Sequence, residues 1–154
     1  MIHTKQPANQ FYVYLTAFRS SEPLEVNQKM LKGMAISIRK FPGLYGVLEH
    51  CNIQGCYQEA GTDAPSIEQT LRVRCRDMVE VENLMYQACE TYSQDAVLVV
   101  NSQTHTASLM SLEWSGDYPY RFPQVRSEVI GTFTQQDTGS AHYSIIDGVR
   151  WEVA

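Results

Sequence analysis

The stretch Phe11–Phe18, FYVYLTAF, alternates strictly, with Phe11, Val13, Leu15 and Ala17 on one side and Tyr12, Tyr14, Thr16 and Phe18 on the other. Both sides are apolar or aromatic. A strand of this kind must be covered on both faces, so the pattern predicts a sheet with helices on one face and a further layer, expected to be a second subunit, on the other. Working outward, Ser20 and Ser21 offer an N-cap and Pro23 suits a first helical turn. Leu24, Leu31, Ala35, Ile38 and Phe41 then recur at helical spacing, and Pro42 and Gly43 are expected to stop that helix.

Residues 44–60 (LYGVLEHCNIQGCYQEA) read as a long strand, with a bulge or bend expected at Gly55. After the GTDAPS turn, residues 67–75 (IEQTLRVRC) alternate again. Leu71, Val73 and Cys75 share the core face, and Glu68, Thr70, Arg72 and Arg74 share the other. Asp77 and Glu80 form a D-x-x-E helix start, followed by an apolar stripe of Val81, Leu84, Ala88 and Tyr92. Asp95–Asn101 reads as a buried strand, and further β segments are expected near residues 108–114, 127–134 and 141–153. The order strand, helix, strand, strand, helix, strand predicts an α+β fold: a ferredoxin-like, split βαβ sheet with two helices and additional C-terminal β structure. The open face of such a sheet would carry Tyr12 and Tyr14, so sister subunits are expected to cover it.

With 154 residues, 44% of them hydrophobic and 19% charged, the chain 1–154 is expected to form a single domain and is not a disordered or coiled-coil sequence. Twelve Lys and Arg against seventeen Asp and Glu give a net charge of −5. That is the wrong sign for tracking phosphates, so nucleic acid is not the expected partner. The excess is lopsided, +2 over residues 1–77 and −7 over residues 78–154. Cys51, Cys56, Cys75 and Cys89 include no C-x-x-C pair, and His3, His50, His105 and His142 are scattered. No metal site is therefore expected, and the cysteines read as free, mostly buried thiols of a reducing compartment. The longest aliphatic run, Ala96–Val100, is far too short to span a bilayer, and no secretory core follows Met1, so no membrane association is expected.

Six strings in register, KQPANQFYV, FPGLYG, GCYQEA, LRVRC, DAVLV and SQTHTA, make the chain resemble the phage-encoded S-adenosylmethionine lyases, formerly called S-adenosylmethionine hydrolases. The resemblance runs from Met1 to about Ala107. It implies a homotrimer with a ferredoxin-like, PII-like core and sites between subunits, acting without metal or cofactor in the host cytoplasm. The implied reaction cleaves S-adenosylmethionine to methylthioadenosine and homoserine lactone, which removes the methyl donor and counters restriction. Hydrolysis to homoserine, or a PII-like nucleotide-binding module without chemistry, are the alternatives; no Gly-rich phosphate cradle is evident for the latter.

The family motifs carry over onto Tyr57, in GCYQEA, and Glu68, just before LRVRC, as the catalytic and substrate-binding pair. A sulfonium is already a good leaving group, so the reaction requires mainly that the substrate's own carboxylate be folded onto its γ-carbon. Glu68 is best assigned to the substrate ammonium, because a carboxylate against the sulfonium would stabilise the reactant more than the transition state. Gln103 and Thr104 could read the adenine or ribose, or could equally satisfy their own strand end. Arg72 and Arg74 are expected to be structural partners of acids such as Glu68 or Glu59, since a bidentate arginine on the substrate carboxylate would occupy the attacking lone pairs. His105 is expected to be solvated, as lactone closure removes no proton.

Overall fold

The computed structural model describes residues 10–57, 66–140 and 142–154, without the side chain of Tyr57. Strand β1 (Phe11–Leu15) leads into helix α1 (Leu24–Lys40), the short helix α2 (Pro42–Tyr45), the hairpin strands β2 (Val47–Tyr57) and β3 (Ser66–Cys75), and helix α3 (Met78–Tyr86). Helix α3 widens into a π-turn over Gln87–Thr91. Strands β4 (Val97–Asn101), β5 (Thr106–Ser115), β6 (Phe122–Gln135), β7 (Tyr143–Ile146) and β8 (Val149–Val153) follow.

The helix and strand order of the first hundred residues is the expected one, but the open ferredoxin-like sheet is not what these elements build. All eight strands pair antiparallel into a closed barrel, in the order β1-β3-β2-β7-β8-β6-β5-β4. The correction extends to the cover of β1. Val13 and Leu15 face α1 and α3, in a core with Leu31, Met34, Ile38, Val81, Leu84 and Met85. On the other face Tyr14, packed with the partly buried Tyr12, meets Phe133 and Ile146 of the same chain. The second layer is therefore the chain's own C-terminal half, curled over to close the barrel, and not a sister subunit. Closure satisfies the backbone groups that an open sheet leaves along its edges.

Local chemistry accounts for the ends of the elements. The Asp77 carboxylate accepts from the Glu80 N–H at 3.0 Å, while Glu80 Oε1 accepts from the Arg76 N–H at 2.7 Å, so the expected D-x-x-E start holds α3. Helix α1 departs from expectation: Pro23 stands at its N-cap and neither serine caps it. Asn27 instead braces the entering loop, accepting from the Arg19 N–H and donating to the Arg19 carbonyl, both at 2.9 Å. Pro42 opens α2, and Gly46 ends it at φ +91°, where a Cβ would stand 2.4 Å from the Arg74 carbonyl oxygen. The irregularities of the β2–β3 pair fall between Leu48 and Ile53, not at Gly55, which pairs in register with Glu68.

Beyond the barrel, Ser111–Ser115 and Phe122–Arg126 pair only with each other, as a two-stranded ribbon. Trp114, Tyr118, Tyr120 and Phe122 are exposed along it. Among the described residues no helix is long and apolar enough to cross a membrane.

Candidate functional site

The alternation of β3 sends Glu68, Thr70 and Arg72 to the barrel side and Leu71, Val73 and Cys75 to the helix side. On the barrel side the lumen is divided. The Tyr14 and Phe133 rings, 5.1 Å apart, border both halves, and Trp151 stacks on Phe133 at 5.7 Å. One chamber, of about 420 Å³, is walled by Leu98, Leu109, Ile130 and Val153 and reaches Glu68, Thr70, His142 and Tyr143. The other, of about 340 Å³, lies at the far end with Arg72, Ser102, His105 and Trp151. Both have the size of small-molecule cavities.

Glu68 is the singular group of the larger chamber. The residue is only 6% exposed, and Ser66 Oγ donates to its Oε1 at 3.2 Å. Across the β2–β3 pair it faces Gly55, and on the other side of Gly55 stands Ser144 of β7. With no side chain on Gly55, the Thr70 hydroxyl takes the space beside it. A Cβ on Gly55 would lie 2.6 Å from Thr70 Oγ1, so a larger residue there would displace the Thr70 hydroxyl.

Tyr57 ends β2 and pairs through its backbone with Ser66, two residues from Glu68; its side chain, Glu59 and most of the GTDAPS turn lie outside the described residues. Gln103 and Thr104 are not brought to the Glu68 chamber. They occupy the β4–β5 turn, where their N–H groups donate to Asn101 Oδ1 at 2.9 and 3.1 Å, which is the local strand-end role. Their neighbours Ser102 and His105 border the smaller chamber, on the far side of the Tyr14–Phe133 partition. Arg72 and Arg74 do have an acidic partner, but it is Glu49, at 3.7 and 3.8 Å, and not Glu68. Arg72 also lies over the Tyr12 ring at 5.0 Å. Burial pushes the Tyr14 hydroxyl above its ordinary pKa, while its hydrogen bond to Arg72 pulls the other way.

Sequence reasoning missed His142, Tyr143 and Ser144, which complete the chamber wall from β7 and the turn before it. The available signal was the short alternation Tyr143–Ile146, whose inward residues are Ser144 and Ile146. The four cysteines are free. Cys56 and Cys75 are buried, Cys89 is half-buried and Cys51 is exposed, and burial pushes the Cys75 thiol up to about 12.

Comparison with known proteins extends the likeness past Ala107. The sequence model described as the S-Adenosylmethionine lyase family matches residues 13–154, which include all of β5 to β8. The chain is also 48% identical, over 160 aligned residues, to the S-Adenosylmethionine lyase of Enterobacteria phage T3, with 99% of each chain covered. A match of this extent spans the Glu68 chamber and the strands that close it, and the chain belongs to the S-adenosylmethionine lyase family.

Proposed function

We propose that this chain cleaves S-adenosylmethionine to methylthioadenosine and homoserine lactone, with the substrate's carboxylate as the nucleophile. The observation that carries the reading is the buried Glu68 carboxylate set beside Gly55 in an apolar-walled chamber of about 420 Å³. Glu68 takes the substrate ammonium, with Tyr57 as its neighbour. The carboxylate oxygen forms a bond to the γ-carbon while the carbon–sulfur bond breaks, and the bonding pair leaves on sulfur as a neutral thioether. No proton moves. Holding the chain folded for this unimolecular closure can lower the barrier by about 7 to 11 kcal/mol relative to a bimolecular attack. Carboxylate and sulfonium neutralise each other along the path, so the apolar walls favour the less polar transition state.

The test is product identification. Incubation with S-adenosylmethionine in water enriched in heavy oxygen, followed by NMR and mass spectrometry, should show methylthioadenosine and early homoserine lactone without label. Direct appearance of homoserine labelled at its γ-hydroxyl would establish hydrolysis instead. In a host cell, the same reaction would deplete the methyl donor and relieve restriction by enzymes that depend on it. A homotrimer belongs to this reading, supported by the exposed Trp114, Tyr118, Tyr120 and Phe122 on the projecting ribbon. Gln103 and Thr104 enter it as groups presented to the site of a neighbouring copy. Light scattering after size exclusion should report three chain masses; a fully active monomer would overturn the shared site.

A further inference from the structure

Thr70 lies two residues from Glu68 on the same strand and borders the same chamber, and it is 7% exposed. Its hydroxyl overhangs Gly55, the residue directly opposite Glu68. A second buried threonine on the chamber wall, Thr16, has its hydroxyl fully engaged. It donates to the Gln69 carbonyl at 2.7 Å and accepts from the Phe18 N–H at 3.0 Å. Among the described residues, the Thr70 hydroxyl makes no such bond. A hydroxyl that borders a cavity two residues from a carboxylate on the same strand face is suited to a ligand donor.

Resting on the reading that Glu68 takes the ammonium of S-adenosylmethionine, we propose that Thr70 Oγ1 is the second acceptor for that ammonium and thereby sets the direction of the substrate carboxylate. An ammonium has three N–H donors, and residues i and i+2 of a strand project from one face about 7 Å apart. A cation placed between the two side chains can donate to both. One acceptor leaves the methionine α-carbon free to turn about a single hydrogen bond; two fix its orientation. The carboxylate is then aimed without any donor of the protein touching it, so both oxygens keep the lone pairs that lactone closure uses. A guanidinium clamp would lack that property.

The experiment compares two substrates on three proteins. With S-adenosylmethionine, Thr70→Val should lose about ten-fold in kcat/KM, and Thr70→Ser should stay within about three-fold of wild type, as expected for a hydrogen bond to a charged group. With the analogue whose amino group is replaced by hydrogen, all three proteins should react at the same reduced rate. A loss by Thr70→Val that is equal on both substrates would assign Thr70 a structural role and overturn the proposal, as would wild-type kcat/KM for Thr70→Val on S-adenosylmethionine. Thermal unfolding of each variant reports folding, and Thr70→Ser carries the test should the valine variant not fold. A wild-type protein without turnover of S-adenosylmethionine would overturn the underlying reading as well, an outcome distinct from turnover that ignores Thr70.

Discussion

Gly55 and Glu68 stand opposite one another across the β2–β3 pair, so the buried carboxylate of the larger chamber faces bare backbone. Replacement of Gly55 by valine would put a branched side chain where a Cβ alone already meets Thr70 Oγ1 at 2.6 Å. Gly55→Val should lose about a hundred-fold in kcat/KM, the scale of misplacement by about 1 Å at a reacting centre. Circular dichroism should still report a β-rich fold, since β2 keeps its ladder on both sides.

Loss of the Glu68 charge should be felt in binding and chemistry together. Glu68→Gln is expected to lose about ten- to a hundred-fold in kcat/KM, because a hydrogen bond to a charged group contributes about 1.5 to 3 kcal/mol. Tyr57→Phe should lose less, a neutral bond contributing about 0.5 to 1.5 kcal/mol. Steady-state assays of both variants decide it, and a Glu68→Gln protein with the wild-type rate would remove Glu68 from the site.

Phe133 is 3% exposed and touches Tyr14 on one side and Trp151 on the other. Phe133→Ala removes a ring from the partition and joins the two chambers. The expected cost is about 3 to 5 kcal/mol, the range for large-to-small changes in a packed core. Chemical denaturation would measure it; a cost below about 1 kcal/mol would mean that the aromatic layer is not a packed core.

Stability should fall in acid through Glu152. This carboxylate has no exposed surface and accepts from the Thr138 hydroxyl at 2.5 Å and from Arg150 Nε at 2.7 Å. The Thr138 bond, aided by Arg150 and opposed by burial, holds its pKa down to about 2, against an ordinary value of 4.5. A carboxyl depressed in the folded state binds its proton more readily in the unfolded chain. Its stabilising contribution is therefore complete above about 4.5 and is lost as the pH falls through about 2. Unfolding midpoints across that window should drop more steeply for wild type than for Glu152→Gln, which is destabilised at neutral pH.

The local grammar of the chain was legible, and its closure was not. Alternation over Phe11–Leu15 and over Glu68–Cys75 assigns each side chain to its face, because the period of a strand is a property of neighbouring residues. What lies against a face is not local. Tyr12 and Tyr14 require cover, and a sister subunit or the chain's own β6 to β8 would bury them equally well. The seam that decides between them, Cys56 against Tyr143, joins residues far apart in the sequence. The same distance hid His142 and Ser144 from the site. The inner-face position of Glu68 was legible because the alternation of its strand fixes it, whereas Gln103 and Thr104 sit in a polar turn whose backbone Asn101 already satisfies.

The β2–β7 seam also sets when the chamber can form. The chamber beside Glu68 has one wall near the start of the chain, at Tyr14, and another at Tyr143, Ser144 and Val153. On a ribosome, at about 5 to 20 residues per second, helices α1 and α3 and strands β1 to β4 emerge well before that second wall exists. A nascent or prematurely terminated chain thus has Glu68 but lacks the β7 and β8 wall of the chamber beside it. If the proposed reading holds, such a chain would be silent until translation has passed β8.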